Sequence, residues 1–332
     1  MGEKTKTRRK DLVLDVINDF QKKRVLVIGD SILDMSFYGT AVGLSLETPT
    51  LKAREEKIEY SWGGASNVVK NLLELGAKTS FITLLGEDSE AESYTRFKHK
   101  NFKLFPITEK GRKTTTKKRF WVEQRGVLYK YLQFDRLDNR EIEKKSEEKI
   151  IRMLQDQLKK YDTVLLVDYR HGMMSKNLIN QIKNLTKKNN IMTIASSQIS
   201  ESRANHLDYS RVDLICMNYK EAKEISGDIP ENQILSNLEK KLDSSVCVTS
   251  GEKGSELYLN SKKYHVKAID IEEKDSCGAG DSFLAALSLS PYESHPKESL
   301  YLANIFGGLS ATKISTQTPK KQELLDYINK GK

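Results

Sequence analysis

With 332 residues and 38% hydrophobic content, the chain is long enough to bury the core of one substantial α/β domain, with or without a smaller appendage, and too apolar to be disordered. It has no apolar run of about 18 residues, and Met1-Gly2-Glu3-Lys4 opens no signal-peptide apolar region, so the sequence predicts no membrane partner and a cytoplasmic location. The net charge of +9 gathers at residues 4–10 and 110–119 and on acid-interleaved helical stretches such as 141–160. With no zinc-finger, helix-turn-helix or RNP signature beside it, that charge points to phosphorylated small molecules rather than nucleic acid.

Taken in order, residues 1–22 predict a polar arm and a helix over 11–20, whose apolar positions Leu12, Val13, Val16, Ile17 and Phe20 fall at helical spacing. Lys6 stands where an N-myristoylation site needs Ser or Thr, so Gly2 is not read as an acceptor. Residues 23–332 form the second unit. Its β-branched run Arg24-Val25-Leu26-Val27-Ile28-Gly29-Asp30 has the pattern of a buried parallel strand. Short apolar runs at 79–85, 163–167, 191–195, 212–217 and 245–248 alternate with helical patterns at 67–75, 150–158 and 178–185. Such alternation means βαβ units: an α/β fold with an open, mostly parallel sheet, helices on both faces, and ligands at the C-terminal ends of the strands. Two segments, about 35–60 and 112–135, break the alternation and are read as antiparallel strands of a small projecting sheet, serving as a lid, a dimer surface, or both. Cys216, Cys247 and Cys277 are odd in number and form no Cys-x-x-Cys pair, which suits a reducing compartment without structural zinc.

The stretch with the clearest chemistry is Asp275-Ser276-Cys277-Gly278-Ala279-Gly280-Asp281, which runs into the apolar helix formers from Ser282. It reads as a loop opening onto a helix N-terminus, where amides without intrahelical partners and the helix dipole favour an anion. A carboxylate there, Asp281, can cap the helix and also reach a bound hydroxyl. Asp34 follows the first strand, and Trp62-Gly63-Gly64-Ala65-Ser66-Asn67 opens a helix with glycines, which together suggest a cradle for a polyhydroxylated ligand; the two glycines also suit a plain turn and cap. Asp168 ends a strand, and Asn218-Tyr219-Lys220-Glu221 follows another, a spacing that also suits a capping box. His171 is read as a capping or packing residue, since the five histidines are scattered and form no metal cluster.

In order along the chain, these motifs resemble the ribokinase (PfkB) family of carbohydrate kinases. The likeness is strongest to its heptose 7-phosphate kinases, through Gly29-Asp30-Ser31-Ile32-Leu33-Asp34, Ser45-Leu46-Glu47-Thr48-Pro49, Val167-Asp168-Tyr169 and Leu302-Ala303-Asn304. It runs from about Arg24 to the C-terminus. The resemblance implies a ribokinase-like three-layer fold and transfer of the γ-phosphoryl of ATP to a sugar hydroxyl. Its implied roles are Asp281 as general base, the amides of Gly278, Ala279 and Gly280 on the transferring phosphoryl, and Asp34, Gly63, Gly64, Asn67 and Asp168 on the sugar. It further implies ATP binding by Asn218, Tyr219, Lys220, Glu221, Thr249, Gly251, Gly254 and Asn304, Mg²⁺ organised through water by Asn218 and Glu221, and a monovalent cation such as K⁺ near Asp275.

The chain departs from the pattern at Ala195-Ser196-Ser197-Gln198, where heptose kinases carry Asp-Pro-Lys, and at Gly43-Leu44, where they often carry an arginine. Lys118, Arg119 or Arg125 on the lid are the candidates to replace that charge. The His-x-Gly-His signature of a fused nucleotidyltransferase is absent, so a stand-alone kinase is expected. Its expected substrate is a heptose 7-phosphate taken at the anomeric hydroxyl for surface-polysaccharide precursors. A kinase of another pentose or hexose and a non-catalytic sugar or nucleotide sensor are the alternatives. An apolar lid face of Phe120, Trp121, Val122 and Leu128 predicts a homodimer through the lid.

Overall fold

The computed structural model describes residues 3–199, 204–313 and 316–330, with side chains from residue 10 onward. Helix α1 (Glu3–Asp19) leads to strand β1 (Arg24–Gly29), the long hairpin β2 (Ser31–Leu44) and β3 (Leu51–Gly64), then α2 (Ala65–Glu74), β4 (Lys78–Leu85), the single turn α3 (Glu92–Thr95) and β5 (Phe102–Thr108). A second hairpin, β6 (Thr116–Gln124) and β7 (Val127–Arg136), is followed by α4 (Lys144–Gln157), β8 (Thr163–Asp168), α5 (Lys176–Lys188), β9 (Met192–Ser197), β10 (Leu214–Asn218), α6 (Tyr219–Ser226) and α7 (Ile234–Leu242). The chain ends with β11 (Ser245–Thr249), β12 (Ser255–Leu259), β13 (Lys262–Val266), α8 (Ala279–Leu289), α9 (Pro296–Ala311) and α10 (Lys321–Asn329).

Nine strands form the main sheet in the order β13-β12-β11-β10-β9-β8-β1-β4-β5. Neighbours pair in parallel from β5 through β11, and the two edge pairs β11–β12 and β12–β13 are antiparallel because β12 is reversed. The central strands are buried on both faces because their alternate residues feed two cores. Val25, Val27, Leu165 and Val167 pack with α1, α2, α8, α9 and α10, through residues such as Ile17, Leu72, Phe283, Phe306 and Leu324. Leu26, Ile28, Val164 and Leu166 pack on the opposite face with α4 to α7, through Leu154, Ile182, Ile225 and Leu238. The amphipathic α5 shows the rule: Leu178, Ile179 and Ile182 are buried while its lysines face outward. The result is the α/β open sheet of three layers that the alternation predicted.

The small sheet has the order β3-β2-β6-β7. Its two hairpins are antiparallel, but its central pair β2–β6 is parallel, a correction to the all-antiparallel expectation. The reason is topological: β6 is reached only after β4 and β5 have been laid into the main sheet, so it arrives running in the same direction as β2. The strands also begin nearer the core than expected. Only Asp30 separates β1 from β2, and β3 runs directly into α2 at Gly64, so the lid is wired to two elements of the main domain. The helix expected over 11–20 starts already at Glu3, taking up the basic segment; Met1 and Gly2 lie outside the described residues. Among the described residues no helix is long and apolar enough to cross a membrane.

Candidate active site

The C-terminal ends of β1 and β8 meet the N-termini of α2 and α8 beneath the lid. Gly278 is the N-cap of α8 with φ 84°, and a Cβ there would lie 2.8 Å from Asn67 Nδ2, so both conformation and space call for glycine. Asp281 in the first turn of α8 is only 9% exposed. Its Oδ2 accepts from Asn67 Nδ2 at 2.7 Å and its Oδ1 from the Tyr169 hydroxyl at 2.7 Å. Burial pushes its pKa up to about 6; the two hydrogen bonds oppose that rise and the charge of Asp34 adds to it. A carboxylate that still ionises near neutrality but holds a proton more readily than a surface aspartate suits a general base.

Of the three amides nominated for an anion, that of Ala279 donates to the Ser276 carbonyl at 3.1 Å and closes the turn. The anion reading therefore rests on Gly278 and Gly280. Asp275 braces the same loop by accepting from the Cys277 amide at 2.9 Å. Among the described residues no group of three or more His, Cys, Asp or Glu is arranged to hold a metal ion.

Asp34 lies on β2, 4% exposed, with Oδ1 2.6 Å from Arg119 of β6. Gly63 lets the chain pass close by, since a Cβ at that position would lie 2.3 Å from Asp34 Oδ2. Gly64, at φ 59°, caps α2 and leaves room for the Asp30 carbonyl, which accepts from the Ala65 amide at 2.9 Å. The register sets Asp34 with Lys117 and Ser36 with Arg119, so Arg119 shares Asp34's face of the lid while Lys118 takes the other and Arg125 sits in the hairpin turn. Of the three lid cations considered, Arg119 is the one that reaches the cleft.

Asp168 is 2% exposed, and its carboxylate accepts from the Arg170 amide at Oδ1 (2.7 Å) and, at Oδ2, from Asn205 Nδ2 (2.8 Å), the Tyr209 hydroxyl (2.8 Å) and the Ser197 hydroxyl (3.3 Å). These bonds tie the ends of β8 and β9 together. Ser197, from the stretch that replaces Asp-Pro-Lys, is part of that network. His171 bonds Asn139 through Nδ1 at 2.9 Å, and burial with Lys117 nearby lowers its pKa to about 4.

Asn218 and Glu221 form a reciprocal capping box on α6, at 2.8 and 2.9 Å, and burial raises the pKa of Glu221. Lys220 is exposed, and Tyr219 lines a separate cavity of about 650 Å³ with Lys253, Lys263 and His265. A different cavity of about 490 Å³ opens beside Ala279 and Gly280, and Thr249, Gly251, Gly254 and Asn304 are among the residues that line it. Asn304 Nδ2 donates to the carbonyls of Val266 and Lys267 at 3.0 and 3.1 Å, fixing the strand end that borders this cavity. Nothing in the sequence had assigned Ile269, Ile271, Phe283, Gly307 and Gly308 to a site, and they give this cavity its apolar wall. A Cβ on Gly308 would come within 2.7 Å of the Ile269 side chain. Tyr169 and Asp30 lie inside motifs quoted above but had no role assigned from sequence, because their partners come from distant segments.

The sequence profile described as pfkB family carbohydrate kinase matches residues 22–323. Among similar curated proteins, the bifunctional protein HldE of a Nitratiruptor species is 29% identical over 92% of this chain, and that of Sulfurimonas denitrificans is 30% identical over 92%. The chain spans 65% and 64% of the length of those relatives. Among solved structures, Giardia lamblia ribokinase superposes with a TM-score of 0.71 at 17% identity, covering 93% of this chain and 99% of the other. Arabidopsis thaliana ribokinase complexed with ribose and ATP gives 0.66 at 17% identity, covering 92% and 98%, and the two ribokinases bear out the ribokinase-like fold.

Proposed function

Since this chain belongs to the pfkB family of carbohydrate kinases, phosphotransferases that act on a sugar hydroxyl, we propose that Asp281 is the base of an ATP-dependent sugar kinase. The observation that carries this is the position of its buried, doubly hydrogen-bonded carboxylate at the start of α8, between the 490 Å³ cavity and the Asp34–Arg119 pair. The nucleotide's base occupies the apolar slot of Ile269, Ile271 and Phe283, and its phosphates run toward the α8 N-terminus. The acceptor hydroxyl gives its proton to Asp281 as its oxygen bonds the γ-phosphorus; the bond from that phosphorus to the β–γ bridging oxygen breaks and ADP leaves. The Gly278 and Gly280 amides and the helix dipole steady the charge on the transferring group. Asn218 and Glu221, whose oxygens cap the start of α6, are the residues that would hold Mg²⁺ through water, and among the described residues no group of three or more His, Cys, Asp or Glu forms a cage for it. Bound there, it would neutralise charge between the phosphates. A K⁺ ion at the Asp275 loop belongs to the same proposal and is checked by comparing rates in K⁺ and Na⁺.

The acceptor we propose is a heptose 7-phosphate phosphorylated at its anomeric hydroxyl, for surface-polysaccharide precursors. The motif resemblance, the likeness to HldE proteins and the Arg119 cation on the cleft face of the lid support this choice. A second copy of the chain is proposed to cover the lid: of the face expected from sequence Val122 is buried and Phe120 and Trp121 are half-buried, whereas every residue of β7 from Val127 to Asp135 is exposed, including Leu128, Leu132 and Phe134. Measuring ADP release over a panel of free and phosphorylated pentoses, hexoses and heptoses tests the function. Turnover confined to phosphorylated heptoses is the expected result. Turnover on an unphosphorylated pentose or hexose overturns the substrate, and tight sugar binding without turnover on any sugar identifies a sensor.

A further inference from the structure

The carboxylate of Asp281 is gripped from two sides, and both grips trace to one residue. Asn67 reaches Oδ2 from α2, and Tyr169 reaches Oδ1 from the turn after β8, each at 2.7 Å. Asp30, 3% exposed at the end of β1, accepts through its carbonyl from the Ala65 amide that starts α2. Its carboxylate accepts from the amides of Tyr169 (2.9 Å), His171 (3.2 Å) and Met173 (3.1 Å), which fixes the turn carrying Tyr169. A side chain anchored in this way is held to one geometry, as positioning in a reacting site demands.

From this geometry we infer that Tyr169 is a positioning residue for phosphoryl transfer, fixing the orientation of the Asp281 carboxylate and how tightly it holds a proton. The inference rests on reading Asp281 as the base. Each carboxylate oxygen has two lone pairs, so accepting from Tyr169 and Asn67 leaves acceptor capacity for a substrate hydroxyl. The other groups facing Asp281 are Asp34 from β2, itself paired with Arg119 of β6, and Cys277 from the preceding loop. Burial first, and Asp34 after it, oppose the negative charge of Asp281, and the donors from Tyr169 and Asn67 act against both.

Tyr169→Phe keeps the ring and removes the donor. Measured with ATP and whichever sugar the panel identifies, the acid limb of its kcat/KM profile is expected to move up by about one pH unit. Its kcat at neutral pH is expected to fall roughly tenfold, with the sugar KM little changed. In an Asp281→Asn background the same substitution should have no further effect, because it acts through the carboxylate. 3-Fluorotyrosine introduced at position 169, a stronger donor of the same shape, should move the limb to lower pH, a reversal that a purely structural role would not give. If Asp281→Asn turns over like the parent, the base reading falls. If Asp281→Asn is impaired but Tyr169→Phe leaves the limb in place, this inference falls and the base reading stands. Should Tyr169→Phe lack a cooperative melt, the fluorotyrosine variant decides, and an unmoved limb overturns the inference.

Discussion

At the scale of single residues the site depends on a buried charge held against its solvation cost. Asp281→Asn is expected to lower kcat by roughly 10²–10⁴ while leaving nucleotide affinity nearly unchanged, as steady-state kinetics would read. The parent's kcat/KM should fall below about pH 6 with the slope of one proton, because protonated Asp281 cannot take another. The same carboxyl affects stability with a definite sign. Its folded pKa of about 6 lies above the ordinary aspartate value of 3.8, so the folded state binds the proton more tightly and stability declines as pH rises between those values. Thermal melts should therefore show Asp281→Asn gaining on the order of 1 kcal/mol over the parent above pH 6 and nothing below about pH 4. The sequence exposed the aspartate and its glycines because a left-handed N-cap makes a local demand that only glycine meets cheaply. It did not expose Tyr169, whose bond to Asp281 spans 112 positions.

At the scale of elements, the proposed site is built on the junction of α8 with its loop and on the pairing of β2 with β6. Gly278→Ala would place a Cβ against Asn67 and force a left-handed conformation, costing about 1–3 kcal/mol. Because Asn67 is displaced from Asp281, kcat should drop at least about tenfold, as melts and kinetics on one preparation would establish. On the lid, Arg119→Ala removes a cation and strands Asp34 in a nearly closed site. The KM for a phosphorylated sugar is expected to rise by about 10–100-fold, with the KM for ATP unaffected, since neither Arg119 nor Asp34 lines the cavity proposed for the nucleotide. Equal loss for free and phosphorylated sugars would show that Arg119 serves only to hold Asp34. The hairpins were legible from Thr, Val, Tyr and Phe alternation, but the parallel join between them was not. Alternation gives the faces of a strand, whereas its neighbour and direction follow from where the intervening chain has been laid.

At the scale of the whole molecule, a three-layer domain presents one end of its sheet beneath a lid whose outer strand is exposed along its length. If a second copy covers that strand, Leu132→Glu together with Phe134→Glu should convert a dimer to a monomer in sedimentation, without loss of the cooperative melt. The amino-acid sequence by itself determined the two-faced strands, since Val25-Leu26-Val27-Ile28 deals its residues alternately to the two cores, and it determined the glycine-led helix start with its acid. These are short-range properties, set by backbone sterics and by a periodicity of two residues. Only the tertiary structure decided that Asp168 joins a buried network, that Arg119 rather than Lys118 or Arg125 meets Asp34, and that Ile269 and Phe283 wall the 490 Å³ cavity. Each of those outcomes depends on which segments the crossovers bring side by side, and hydrogen-bond partners such as Asp168 with Asn205, 37 positions apart, or Asp34 with Arg119, 85 apart, leave no pattern in the chain that carries them.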